Sequence, residues 1–359
     1  MKILEKGIAG PCITLCKENG DTFRVIGFTD SHYDDWVERG NCTIKAMKQA
    51  IQKEQPDLVL FLGDTVTGGD NRNRLEFFCN LMDELGIYWC PVLGNHEGDN
   101  PLSVTREFMM RRMARSRYCL MDASEKHLAD GSKVGRPGDY GVHLADKDGN
   151  IFETLFFMNT GTDMSIEEKE KNNYPRDRTV YEYLLPEQIR WYKEVLAAQG
   201  EGIPSVMYGH IALCEYVSGY ELATLNDTCY ETGRETEPGC CWKYGYRRER
   251  ICCSDYNSGM FDALLEGGST KAFFCGHDHI NDFVIKYKGI ILGYNQPGGY
   301  SSYNIISKAQ QITAGTKDKL IQGYTVYTFK KGDELQVEPV YYHDIFPEMR
   351  EEVWNTIRK

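Results

Sequence analysis

Five short apolar runs in this chain each stop at a cluster of metal-ligand residue types, and that repeated junction constrains the fold more than any other feature. Residues 23–28 lead into Asp30-Ser31-His32, 57–62 into Gly63-Asp64, 87–93 into Gly94-Asn95-His96-Glu97, 203–208 into Gly209-His210, and 271–275 into Gly276-His277-Asp278-His279. A short apolar run bounded by turn formers reads as a buried strand. Five strands then deliver five loops to one edge, with glycine at four junctions, where a sharp exit often needs a positive φ or a close backbone approach. Five of the eight histidines lie in these clusters. Imidazole nitrogens and carboxylate oxygens are ligands for divalent first-row metals, and no cysteine lies inside a cluster, although Cys275 touches the last. Singly, each cluster is an ordinary group of polar residues. Jointly, in order and each after an apolar run, they predict one shared metal site.

Helical periodicity fills the gaps. Ile44, Met47, Ala50 and Ile51 recur at helical spacing over residues 43–55, and Leu75, Phe78, Leu81, Met82 and Leu85 over 71–85. A further helix begins near Pro186, with Ile189, Tyr192, Val195 and Leu196 on one face. Strands alternating with helices imply an α/β fold with crossover connections and ligands at the carboxyl ends of the strands. From residue 282 onward the pattern turns to antiparallel strands at 282–287, 290–293, 323–330 and 334–342, the last two joined by Lys331-Gly332-Asp333. Residues 121–140, 163–178 and 219–254 show neither period. The last of these is read as an insertion overhanging the site, within a single domain spanning 20–345 and flanked by terminal extensions at 1–19 and 346–359.

Composition narrows the partners. A net charge of -12 and a pI near 5.3 disfavour long nucleic acid or an anionic membrane surface, while leaving room for a small phosphorylated substrate drawn in by bound cations. No secretory leader pattern opens the sequence, and no run approaches the roughly 20 apolar residues of a membrane span, so a soluble, cytoplasmic protein is expected. Thirteen cysteines leave one unpaired if all others bridge. Cys79, Cys90 and Cys275 sit in apolar runs as small hydrophobes. Cys214, Cys229, Cys240, Cys241, Cys252 and Cys253 crowd one segment, without the C-x2-C spacing of a zinc ribbon, and are read as reduced or locally bridged.

The ordered clusters resemble the calcineurin-like metallophosphoesterase superfamily over residues 25–303. Asn257-Ser258-Gly259, Phe261 and the run from Ala272 to Phe283 are similar to its purple-acid-phosphatase-like members. The resemblance implies a four-layer αββα sandwich and two metals bridged by Asp64. Asp30, His32 and His279 would hold one ion, and Asn95, His210 and His277 the other. It further implies that a metal-bridging hydroxide attacks phosphorus in line, with His96 donating a proton to the leaving group. Asp278 and Asp282 are expected to fix imidazole tautomers. One position departs from the pattern: purple acid phosphatases carry a tyrosine three residues after the Gly-Asp aspartate, and here Thr67 stands there. Mn, Zn or ferrous iron are then open alongside an Fe(III)-containing pair. Arg247, Arg248 and Arg250 are candidates to clamp a phosphate or carboxylate, and Tyr244, Tyr246, Tyr300 and Tyr303 to form an aromatic rim. The expected activity is hydrolysis of phosphomonoesters or small phosphodiesters. The alternatives are a nuclease, or a catalytically weak scaffold of the same fold that binds a protein partner.

Overall fold

The computed structural model describes residues 2–4, 12–308 and 320–357. The chain begins β1 (Lys2–Leu4), β2 (Ile13–Cys16), β3 (Thr22–Phe28), α1 (Val37–Glu54), β4 (Leu58–Leu62), α2 (Arg72–Leu85), β5 (Trp89–Val92) and α3 (Arg106–Met113). It continues with β6 (Tyr140–Ala145), β7 (Ile151–Phe157), α4 (Ile166–Lys171), α5 (Pro186–Gln199), β8 (Ser205–Tyr208), α6 (Glu215–Thr224), β9 (Glu235–Glu237) and β10 (Cys240–Tyr244). It ends with α7 (Met260–Gly267), β11 (Thr270–Cys275), β12 (Val284–Tyr287), β13 (Ile290–Tyr294), β14 (Gly323–Lys330), β15 (Gln336–Tyr341), α8 (Tyr342–Ile345) and α9 (Arg350–Ile357).

All five apolar runs are strands, but they do not share one sheet. β3, β4 and β5 are parallel neighbours in a five-stranded sheet ordered β15-β14-β3-β4-β5. β8 and β11 are parallel neighbours in a ten-stranded sheet ordered β1-β2-β6-β7-β8-β11-β13-β12-β10-β9. The expectation of a single edge is therefore corrected to two facing edges. Side-chain alternation shows why the sheets stack. Val206, Tyr208, Ala272 and Phe274 point into a core shared with Ile26, Leu60 and Phe61 of the smaller sheet and with Met47 and Phe78 of α1 and α2. The intervening Met207, Phe273 and Cys275 point the other way, into a core closed by Trp191 and Tyr192 of α5, Tyr216 of α6 and Phe261 and Leu264 of α7. The result is a four-layer αββα sandwich. Strands buried on both faces read as continuous apolar runs, so their sequence carries no sign of which sheet they join.

Other departures have local causes. α1 starts at Val37, six residues before the periodic stretch, and carries Gly40 where a Cβ would come within 2.8 Å of the Tyr33 ring. α4 lies inside the supposed loop 163–178 and is nucleated by a capping box between Ser165 and Glu168. β12 begins two residues later than residue 282. Among the described residues of the terminal segments, β2 pairs in parallel with β6, and α9 docks on α1 through Lys45 and Glu352, 2.6 Å apart. Within 219–254, α6 runs on to Thr224, β9 and β10 add the last two strands of the large sheet through the pairing of β10 with β12, and Cys252 N reaches Asp278 between the two histidines of the last cluster. Among the described residues no helix is long and apolar enough to cross a membrane.

Candidate metal centre

Asp30 and His32 follow β3, Asp64 follows β4 and Asn95 follows β5, while His210 follows β8 and His277 and His279 follow β11. The site thus lies where the carboxyl ends of the two sheets converge. Four of these residues adopt left-handed backbone that side chains other than glycine rarely take: Asp30 (φ 50°), His32 (φ 41°), Asp64 (φ 48°) and His277 (φ 77°). Such conformations cost about 1–3 kcal/mol each and cluster at functional sites. They are held by loop-to-loop hydrogen bonds: Asp30 N to Gly63 O at 3.0 Å, and His32 N to Asp64 O at 2.8 Å. Glycine is needed where the loops touch. A Cβ on Gly276 would overlap the Thr29 hydroxyl and the Asp30 carboxylate.

The two aspartates divide their oxygens. Asp30 Oδ2 accepts from Thr29 Oγ1 (2.8 Å) and His277 N (2.9 Å), and Asp64 Oδ1 accepts from His96 N (2.9 Å). Asp30 Oδ1, Asp64 Oδ2 and His277 Nε2 are buried and make no hydrogen bond. Orphaned buried polar atoms are costly unless something satisfies them. These three face the remaining donors. His279 Nε2 is 3.2 Å from Asp30 Oδ1 and 3.2 Å from His32 Nε2, which is 3.7 Å from Asp64 Oδ2. On the other side, His210 Nε2 is 3.3 Å from Asp64 Oδ2 and 3.1 Å from Asn95 Oδ1. Two donor groups result, Asp30, His32, Asp64 and His279, and Asp64, His210 and His277, with Asp64 common to both. With metal–ligand bonds of about 2.1 Å, neighbouring ligands lie roughly 3.0–3.4 Å apart in octahedral or tetrahedral geometry, so the spacing and the oxygen–nitrogen donor set fit a pair of first-row cations.

The imidazoles are turned to present Nε2. His210 Nδ1 lies 2.7 Å from Leu62 O and must donate to it, so the neutral ring carries its lone pair on Nε2. His32 Nδ1 contacts Thr67 Oγ1 at 3.3 Å, and His279 Nδ1 bonds the Ser302 hydroxyl. These partners replace the expected ones. Asp278 accepts from Tyr294 Oη (2.5 Å), Asn281 Nδ2 (2.9 Å) and Cys252 N (3.2 Å), while Asp282 accepts from Arg248 (2.5 Å) and Tyr246 N (2.8 Å). Both aspartates therefore hold the surrounding loops rather than imidazole nitrogens. Burial keeps His32 and His277 low, at about 4 and about 3, so both are neutral donors near pH 7. Burial likewise lowers His210, but the Asp64 carboxylate lifts it to about 10, so a cation at its Nε2 has a proton to displace.

Glu97 organises the loops, both of its oxygens being taken up by backbone N–H groups. It is fully buried and accepts from Asp64 N (3.0 Å), Thr65 N (2.5 Å) and Gly94 N (2.6 Å), binding the Gly63-Asp64 and Gly94-Asn95 turns together. Arg106 bonds the Gly94 and Glu97 carbonyls and Asn159 from behind. His96 projects to the mouth, its ring 5.7 Å from that of His32 and its Nδ1 2.7 Å from Asp99 Oδ2. Burial lowers its pKa, but Asp64 and Asp99 outweigh this and raise it, favouring an imidazolium.

The substrate-side candidates separate. Arg247 pairs with Asp227 at 2.5 Å and stacks on Tyr220. Arg248 is buried against Asp282, whereas Arg250 is exposed; all three arginines border one groove with Val217, Glu249 and Ile251. Tyr300 is buried and packs on Tyr342, and the Tyr244 hydroxyl is buried, so neither belongs to a rim. Tyr303 stacks on His279 at 4.5 Å and is tethered through its hydroxyl to Glu249 (2.9 Å). Tyr246 packs on Tyr230 and Trp242. Sequence reasoning passed over Thr67 as a histidine partner, and over Ser302, Arg106 and Tyr181, whose ring meets that of His277 at 4.5 Å. Only Glu97 carried a signal, its place in the Gly94-Asn95-His96-Glu97 cluster.

The family model described as calcineurin-like phosphoesterase matches residues 23–281. Two curated Arabidopsis thaliana proteins, "Probable inactive purple acid phosphatase 14" and "Probable inactive purple acid phosphatase 29", are each 26% identical to the chain, over 289 and 311 residues. These alignments cover 75% of this chain and 65% of the first relative, and 79% and 74% for the second, so the chain spans a little under two thirds of the first relative's length. A dimetal phosphatase from Danio rerio superimposes with a TM-score of 0.51 at 14% identity, covering 89% of this chain and 99% of the other, a likeness of fold.

Proposed function

Because the chain belongs to the calcineurin-like phosphoesterase family, we propose that it is a two-metal phosphohydrolase acting on phosphomonoesters or small phosphodiesters. The observation that carries this reading is the set of three orphaned buried atoms, Asp30 Oδ1, Asp64 Oδ2 and His277 Nε2, with imidazole nitrogens 3.2–3.7 Å from the two carboxylate oxygens. Asp30, His32 and His279 would hold one cation, Asn95, His210 and His277 the other, and Asp64 both. Bound there, two cations supply Lewis acidity for a phosphoryl group and for water. The chain's own groups do the rest. Thr67, the Leu62 carbonyl and Ser302 keep the imidazole lone pairs turned inward, and Glu97 keeps Asp64 and Asn95 in register. His96, whose protonated form Asp64 and Asp99 favour, stands at the mouth to donate a proton to the departing oxygen. Of the three candidate arginines Arg250 is the exposed one, available to meet a substrate anion, and Tyr303 lines the same side as His279. The net charge of -12 supports a small phosphorylated substrate over a nucleic acid strand.

The word "inactive" in the names of two relatives favours a second reading, a protein-binding scaffold of the same fold. One experiment separates them: metal analysis of the purified chain, followed by hydrolysis of an aryl phosphate and its bis-aryl diester after reconstitution with Mn, Zn or Fe. Stoichiometry near two metals with metal-dependent turnover is expected. Two metals without turnover would favour the scaffold, and no metal uptake would overturn the proposal.

A further inference from the structure

The metal centre leaves a pair of thiols unused. Cys214 lies four residues after His210 and opens α6, and Ala212 forms a parallel bridge with Cys253 at the far end of the 219–254 stretch. This bridge lays the two backbones side by side and puts the Cys214 and Cys253 thiols in hydrogen-bond contact. Beyond the bridge, Cys214 Sγ reaches the carbonyls of Ser254 and Tyr256 as a donor, at 3.1 and 3.5 Å. Both sulfurs are free thiols and only half-buried, unlike Cys79, Cys90 and Cys275 in the cores. Each also borders open space: Cys214 a cavity with Glu182 and Tyr256, Cys253 the groove with Val217 and Arg250.

We propose that Cys214 and Cys253 form a thiol–disulfide exchange site that reacts with a small disulfide of the glutathione class. The Cys214 thiolate attacks one sulfur of the small disulfide, forming a mixed disulfide and expelling one small thiolate, which takes up a proton. The Cys253 thiolate then attacks Cys214 Sγ, forming the intramolecular bond and expelling the second small thiolate. The two protein thiols lose two electrons and two protons, and the small disulfide gains both as two thiols. The order follows from the surroundings: Cys214 borders the cavity at the start of α6, and a hydrogen bond from Cys253 holds it below the ordinary thiol range in spite of the neighbouring Glu215 carboxylate. Closure would tie the His210 loop to the chain just after Cys252, whose N–H donates to Asp278 beside His277. The proposal does not depend on catalysis.

The full chain is equilibrated across reduced-to-oxidised glutathione ratios, acid-quenched, alkylated and mapped by peptide mass spectrometry. A Cys214–Cys253 cross-link whose fraction tracks the ratio and disappears on return to reduced glutathione is expected. In Cys253→Ser, glutathione should accumulate on Cys214 at least tenfold more than it does on Cys253 in Cys214→Ser, both variants being checked for an unchanged thermal midpoint. If either variant misfolds, the wild-type map decides alone. Persistence of both free thiols in the most oxidised buffer, or pairing of either with Cys252 instead, overturns the proposal.

Discussion

Asp30 and Asp64 each give one oxygen to the protein and leave one that would hold a cation, and single substitutions can separate those tasks. Asp64→Asn replaces the shared charge, so both metals should be lost and turnover should fall at least a thousandfold, read by metal analysis and phosphate release. Ser302→Ala removes only the hydroxyl on His279 Nδ1. It should weaken metal binding about 10–100-fold while sparing the fold, as measured by competition with a chelator. His96→Asn makes the opposite cut: metal content should remain and turnover should drop about 10²–10³-fold, least for substrates with good leaving groups. Thr67 explains the departure from the purple enzymes in physical terms. A hydroxyl at 3.3 Å from His32 Nδ1 orients a ligand where a phenolate would itself be one, so the metal-loaded protein should lack a tyrosinate charge-transfer band in its visible spectrum.

The loops after β4 and β5 act as one element because Glu97 accepts three backbone N–H groups from them. Glu97→Ala would strand three buried donors, at about 1 kcal/mol or more each, so a loss of roughly 3 kcal/mol is expected in denaturant titration, together with lost metal binding. Element identity was legible wherever one pattern dominated: the helices ending at Leu85 and Gln199 stand where periodicity put them, and the five ligand strands where the apolar runs did. It failed where two requirements overlapped. α1 was read short because Gly40, which lowers helix propensity, is there to clear the Tyr33 ring. α4 was read as a loop because its helix is capped rather than amphipathic, with no buried residue.

At the scale of the whole molecule, burial sets the response to pH. Glu153 in β7 carries a carboxyl that burial pushes up to about 8, with only Lys271 pulling it back. Its unfolded value is near 4.5, so the folded state binds the extra proton between the two. The stability contributed is full below about 4.5 and is lost as pH rises to about 8. Glu153→Gln should therefore flatten the fall in thermal midpoint between pH 5 and pH 8 by a few degrees relative to wild type, in matched calorimetric scans. By itself the sequence determined the ligand types, their order and their attachment to strand ends, because an apolar run, a turn residue and a metal donor are each local. Tertiary structure alone decided that those strands belong to two sheets, since both faces of β8 and β11 are apolar. It also decided which oxygen of Asp30 and Asp64 stays free and that Thr67, Leu62 and Ser302 turn the imidazoles, because those contacts join residues 23 to 148 positions apart, a separation at which no local pattern survives.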